Sequence, residues 1–90
     1  MVMAVVLINV RTDETSRVAE ELSNLPGVSE VYSVAGNFDL VAILRVKDND
    51  SLAGLVADGL RKVQGITRTE TLIAFRAYSR HDLDSLFSLD

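Results

Sequence analysis

The run from Val2 to Val10, VMAVVLINV, constrains this chain more than any other stretch. A strand turns successive side chains to opposite faces. Val2, Ala4, Val6, Ile8 and Val10 therefore point one way, and Met3, Val5 and Leu7 the other. Both sets are apolar, and a strand that needs cover on both faces belongs in the middle of a sheet. The run is no membrane span. Asn9 and Arg11 interrupt it, and it falls well short of the ~20 apolar residues a bilayer requires. No basic segment precedes it and no small-residue cleavage site follows, so it does not read as a leader, and the expected location is the cytoplasm.

The remaining elements follow from periodicity. Thr12-Asp13-Glu14-Thr15 reads as a helix start, with Thr12 or Asp13 as the cap. Val18, Ala19, Leu22 and Leu25 fall on one helical stripe, which ends before Pro26-Gly27. Alternation returns from Val28 to Ala35 and again from Asp39 to Lys47, with Gly36-Asn37 between them as a tight turn. Asp48 to Ser51 supplies capping side chains for a second helix, whose stripe is Leu52, Leu55, Val56, Leu60 and Val63. Gly54 and Gly59 weaken that helix, and Gly65 suits its end. Thr67 to Tyr78 is the last strand, and the tail from His81 to Asp90 has the spacing of a short helix.

The order β-α-β-β-α-β predicts an α+β fold of the ferredoxin-like kind: a four-stranded antiparallel sheet with two helices on one face. Ninety residues make one domain, residues 1–90. The face without helices is not polar whichever face it is: the first strand is apolar on both sides, the hairpin offers Tyr32, Val34, Val41 and Ile43 to one face and Val31, Leu40, Ala42 and Leu44 to the other, and the last strand offers Leu72 and Ala74 or Ile73, Phe75 and Ala77. Four strands of that length present on the order of 400 Å² in projection, near the limit a soluble monomer tolerates. A second copy packed sheet to sheet is the simplest cover, giving a homo-oligomer with dimeric α/β-barrel-like packing. The alternative cover is the tail folding back.

Composition removes several function classes. The chain has no cysteine and one histidine, so neither a Cys-His pair nor a His-rich metal site can form, and no metal or cofactor is expected. The formal net charge is -4 and the nine basic residues are scattered, which argues against direct DNA binding. The glycines fit no phosphate-loop spacing. His81-Asp82 reads as solvated surface, and the paired carboxylates read as helix faces and caps, so no catalytic residue is assigned.

One constellation carries chemistry: Gly36-Asn37-Phe38-Asp39 at the hairpin, with Thr67, Thr69 and Thr71 on the last strand. A glycine turn exposes N–H groups to a carboxylate, Asp39 can accept from an ammonium group, and threonine hydroxyls add donors and acceptors. Those are the parts that hold a zwitterionic amino acid. The plain reading of the same residues is a turn, a carboxylate that satisfies turn amides, and strand-favouring threonines. Pattern alone favours the plain reading.

The runs VAGNFDLVAILRV and DSLAGLVADGLRKVQGITRTETLIAF resemble the effector-binding (RAM) domain of the Lrp/AsnC transcription regulators. The matching features are G-x-x-D at Gly36 and Asp39, Gly65-Ile66 with Thr69 and Thr71 at the entry to the last strand, and Pro26-Gly27-Val28. The resemblance covers about the whole chain. It implies sheet-to-sheet dimers, often gathered into rings, with an amino acid effector bound between dimers. Carried over, the ligand-binding candidates are Gly36, Asn37, Phe38, Asp39, Thr69 and Thr71. Such regulators usually carry an N-terminal helix-turn-helix, whereas this chain begins at the first strand. The resemblance thus implies an effector domain, stand-alone or excised from a longer protein, non-catalytic, that modulates full-length relatives by mixed assembly. Two rivals share the topology. An ACT-like regulatory domain would place glycine in the first strand-to-helix loop, and here that loop is Arg11-Thr12-Asp13-Glu14. A small dimeric monooxygenase or isomerase would need a polar cleft with a buried ionisable group. A purely structural assembly module is the third alternative.

Overall fold

A computed structural model describes residues 1–78 and Arg80. Strand β1 (Val2–Val10) leads to helix α1 (Thr15–Ser23), then to β2 (Val28–Ser33) and β3 (Leu40–Val46). Helix α2 (Asn49–Gly54) continues as a π-helical turn (Leu55–Gly59) and a 3-10 turn (Leu60–Lys62) before β4 (Ile66–Ile73). The strands form one sheet in the order β2-β3-β1-β4, with every neighbouring pair antiparallel. This is the expected ferredoxin-like arrangement, with β1 central because both of its faces are apolar.

Alternation along β1 and β3 decides what is buried. Ala4, Val6 and Ile8 face the helices together with Leu40, Ala42 and Leu44, and all six are at most 1% exposed. Val18 and Leu22 from α1 close over them, with Leu52, Leu60 and Val63 from the second helical stretch. The predicted stripes thus supply the core. Asp48 caps α2 as expected, its carboxylate accepting the Ser51 N–H at 2.8 Å, which holds its pKa below the usual carboxylate value.

Four local expectations change. Helix α1 starts later than expected: Asp13 has φ 70°, Glu14 stands at the cap position, and no side chain caps the end. Glu14 instead bonds Arg17 at 2.8 Å. The second helix is not regular. Gly59 sits where an added Cβ would lie 3.2 Å from Leu55 and 3.5 Å from Leu25, so it permits the segment that follows α1 to approach this stretch, while Gly54 faces open space. The hairpin connection is a loop over 34–39 rather than a tight Gly-Asn turn, and only Gly36 takes a positive φ, 134°. The last strand stops at Ile73, not Tyr78. Ile73 lies opposite Ala4, and Ala74 N–H still donates to the Met3 carbonyl at 2.9 Å, but beyond that only Val2 of β1 remains. A strand without a partner to hydrogen-bond is no longer a strand. The expected tail helix, with His81 and Asp82, lies outside the described residues.

Candidate functional site

The hairpin loop is closed by one bond of its own and tied to β1 by others. Val34 N–H donates to the Asp39 carbonyl at 3.0 Å, and Asp39 N–H donates to the Ile8 carbonyl at 2.9 Å. The Asp39 carboxylate accepts the Val10 N–H at 2.9 Å and the Asn9 side-chain amide at 3.4 Å. Asn9 Nδ2 also donates to the Asn37 carbonyl at 3.0 Å. Asp39 therefore satisfies backbone and amide donors, as the plain reading of the sequence has it, but those of β1 rather than those of its own turn.

Across β1 from this loop stands Arg68. It lies opposite Asn9, and its guanidinium sits 5.4 Å from the centre of the Phe38 ring, a cation–π contact. One end of the uncovered face thus carries a polar row: Asn37 and Asp39 from the loop, Asn9 from β1, and Arg68 from β4. Glu70 follows on the same face, opposite Leu7, with an oxygen 4.0 Å from Arg68 Nη2.

The six predicted residues divide into two groups. Gly36, Asn37, Phe38 and Asp39 form the loop. Thr69 and Thr71 lie opposite Ile8 and Val6, so they point to the helix side of the sheet. The helices leave these two positions uncovered, and both threonines are exposed. With Val56, Leu60, Val63 and Ile66 they line a shallow recess of about 220 Å³. The loop and the threonines do not converge.

Sequence reasoning passed over Asn9 and Arg68. Asn9 is the only polar residue in VMAVVLINV, and a single polar side chain in such a run asks for a partner. Arg68 occupies the alternate face of the threonine strand, which a period-2 reading of residues 67–71 would have separated.

The rest of the uncovered face is apolar. Met3, Val5, Leu7, Val41 and Ile43 are half-buried. Tyr32 and Leu72 remain 50% and 48% exposed. At the β2 edge the Glu30 carboxylate accepts from the Tyr32 hydroxyl and from Arg45 Nη1, the latter at 3.3 Å. The Tyr32 bond, then Arg45, holds the Glu30 carboxyl below its ordinary pKa, and the same carboxylate raises that of Tyr32. Among the described residues no polar or charged side chain is buried, and no three metal-ligating side chains cluster. No helix among them is long and apolar enough to cross a membrane.

Comparison with known proteins places this geometry. The family model of the Lrp/AsnC ligand binding domain matches residues 3–83. The HTH-type transcriptional regulator FL11 of Pyrococcus furiosus is 30% identical over 77 residues, which are 86% of this chain and 50% of that protein. Another regulator, from Pyrococcus horikoshii, is matched over 39% of its length, so the chain spans between two-fifths and half of these relatives. Among solved structures, TTHA0845 from Thermus thermophilus is 48% identical with a TM-score of 0.83, covering 89% of this chain and 100% of that one. A feast or famine regulatory protein from M. tuberculosis, complexed with L-methionine, is 26% identical with a TM-score of 0.71, covering 89% and 54%. With the motifs, the strand order and a family match along nearly its whole length all agreeing, the chain belongs to the Lrp/AsnC ligand binding domain family.

Proposed function

We propose that this domain is a non-catalytic amino-acid sensor that assembles through the uncovered face of its sheet. The observation that carries the reading is that face itself: a half-exposed apolar field ending in the polar row of Asn9, Asn37, Asp39 and Arg68. A second copy covers the apolar part, since a patch of this kind is costly to leave in water. The ligand end is the Gly36–Asp39 loop, whose Gly36, Asn37 and Phe38 N–H groups make no backbone hydrogen bond among the described residues. Thr69 and Thr71 enter the site only around the edge of β4. A relative solved with L-methionine supports a free amino acid as the ligand class. Relatives that are transcription regulators support a regulatory role. On this reading the domain tunes such proteins by mixed assembly in the cytoplasm and does not itself contact DNA.

Two measurements test this. Sedimentation velocity at micromolar concentration is expected to give a dimer or a ring of dimers, and a lone protomer would remove the assembly. Thermal shift with the twenty L-amino acids is expected to show one stabilising ligand, by about 2.7 kcal/mol at 100 times its Kd. Asp39→Ala removes the latch that positions the loop. It should abolish that shift and lower stability by about 1–3 kcal/mol, the cost of leaving the Val10 and Asn9 donors without their charged acceptor.

A purely structural assembly module is the second reading, and one observation favours it. Asp39 is already engaged by Val10 and Asn9, which leaves it less able to receive an ammonium group. An oligomer that responds to none of the twenty amino acids would decide for that reading.

A further inference from the structure

Strand β4 is an edge of the sheet. It pairs with β1 on one side, and among the described residues nothing pairs with it on the other. It is eight residues long, contains no proline and is exposed from Thr67 to Ile73. An open edge of that length is a template for another strand, and natural edges are usually guarded by charge or proline. The charges here do not guard the edge against a copy of itself. The run from Ile66 to Leu72, ITRTETL, has the same chemical types read from either end, with Thr69 at its centre and the charges of Arg68 and Glu70 exchanged in sign.

The backbone is in phase with that centre. Ala74 N–H donates to the Met3 carbonyl, so alternation turns the N–H and C=O groups of Leu72 and Glu70 toward β1 and those of Thr71 and Thr69 toward the open edge. The register shift in β1 at Asn9 and Val10 lies beyond Arg68, so Thr69 falls within the regular ladder. We propose that β4 pairs antiparallel with β4 of a second copy, Thr69 lying on the two-fold axis, so that two four-stranded sheets run on as one. Arg68 then stands opposite the partner's Glu70, and Glu70 opposite the partner's Arg68. Thr67 meets Thr71, and Ile66 meets Leu72, both favourable cross-strand pairs. Moving the centre to Arg68 or to Glu70 keeps the hydrogen bonds in phase but sets like charges face to face, so the side chains select one register. Within one chain Arg68 and Glu70 are 4.0 Å apart with side chains 67% and 48% exposed, a contact weak enough to leave both groups available across the edge. An axis perpendicular to the sheet keeps the helices of both copies on one side. The apolar face therefore stays open to sheet-to-sheet packing, and this interface depends neither on that contact nor on amino-acid binding.

Sedimentation velocity on the full chain tests the pairing. Arg68→Glu opposes carboxylate to carboxylate across the edge, and Glu70→Arg opposes guanidinium to guanidinium. Each should weaken edge association roughly 10- to 100-fold, as two opposite-charge pairs become two like-charge pairs, and so remove one step of assembly. Mixed in equal amounts, the two variants should recover the assembly of the unaltered protein, because each finds its opposite charges only in the other. Repair within a chain cannot give that recovery, since each variant chain still carries two like charges. Unchanged circular dichroism confirms that both variants fold. The chain has no cysteine, so Thr69→Cys provides a second readout. Residues opposite each other in a hydrogen-bonded pair have Cα atoms about 5.5 Å apart, within disulfide range. Mild oxidation should cross-link this variant and leave Ser33→Cys, at the β2 edge, largely uncross-linked. Single charge variants that assemble like the unaltered protein, a mixture that behaves as the sum of its parts, or equal cross-linking at both edges would overturn the proposal. Ile43→Lys separates the two interfaces: an edge dimer should survive it, whereas a protein that it reduces to protomers assembles through the sheet face alone. A lone protomer in the unaltered protein would overturn both.

Discussion

The two faces of the sheet are built from the same kind of residue and end in different states. On the helix side, Val6, Ile8, Leu40 and Leu44 are at most 1% exposed. On the other side, Val5, Leu7, Val41 and Ile43 are only half-buried within one chain. Composition does not separate them, since each set is valine, leucine and isoleucine. What differs is cover: helices lie over one face, and the single chain supplies nothing among its described residues for the other. An apolar side chain reports a need for burial without saying who meets it. One face meets that need within the fold, and the other is where the family's assembly is expected.

The largest effect should come from the covered face. Leu44→Ala removes a fully buried side chain and should cost about 2–5 kcal/mol, by lost transfer energy and the cavity left behind. Chemical denaturation measures it, and a cost below ~1 kcal/mol would mean that the core is looser than its burial implies. The uncovered face should answer differently. Ile43→Lys adds a charge where a second copy is expected, and should weaken self-association by a factor on the order of 100. The stability of the separated protomer should hardly change. Sedimentation of the variant over a concentration series checks this, and an unaffected oligomer would place the interface elsewhere.

The smallest effect concerns acid. Glu30, on the uncovered face, and Asp48, capping the helix side, both have pKa values lowered by their hydrogen bonds. Their stabilising contributions are present at neutral pH, above the unfolded carboxylate range, and fade as pH falls through the lowered folded values. Comparison of Asp48→Ala and Glu30→Gln with the unaltered protein should show a deficit in thermal midpoint at neutral pH that closes in acid. A deficit that persists at the lowest pH would assign it to packing instead.

Much of the fold was legible in advance. Double-faced apolarity put β1 in the centre, and the stripes Val18-Leu22 and Leu52-Leu60-Val63 are the ones that close the core. These signals are local and periodic, so they survive without knowledge of neighbours. Boundaries did not survive as well. The end of β4 depends on where β1 begins, and the width of the hairpin loop depends on Asp39 reaching β1 rather than its own turn. The π-helical turn at Leu55–Gly59 accompanies the close approach of Gly59 to Leu25, far away in sequence. The loop half of the candidate site was visible as G-x-x-D. The Asn9 and Arg68 part of the polar row was not, because threonines at alternate positions of the last strand drew attention to the opposite face.

The order of elements, the central strand and the identity of the core came from the sequence alone, because hydrophobic periodicity is written residue by residue. Which polar groups meet was decided only in three dimensions. Asn9, Asp39, Phe38 and Arg68 come from three separate stretches of chain, and antiparallel register brings them to one end of the sheet. A hydrogen bond or a cation–π contact requires a distance of a few ångströms, and only the folded chain sets that distance.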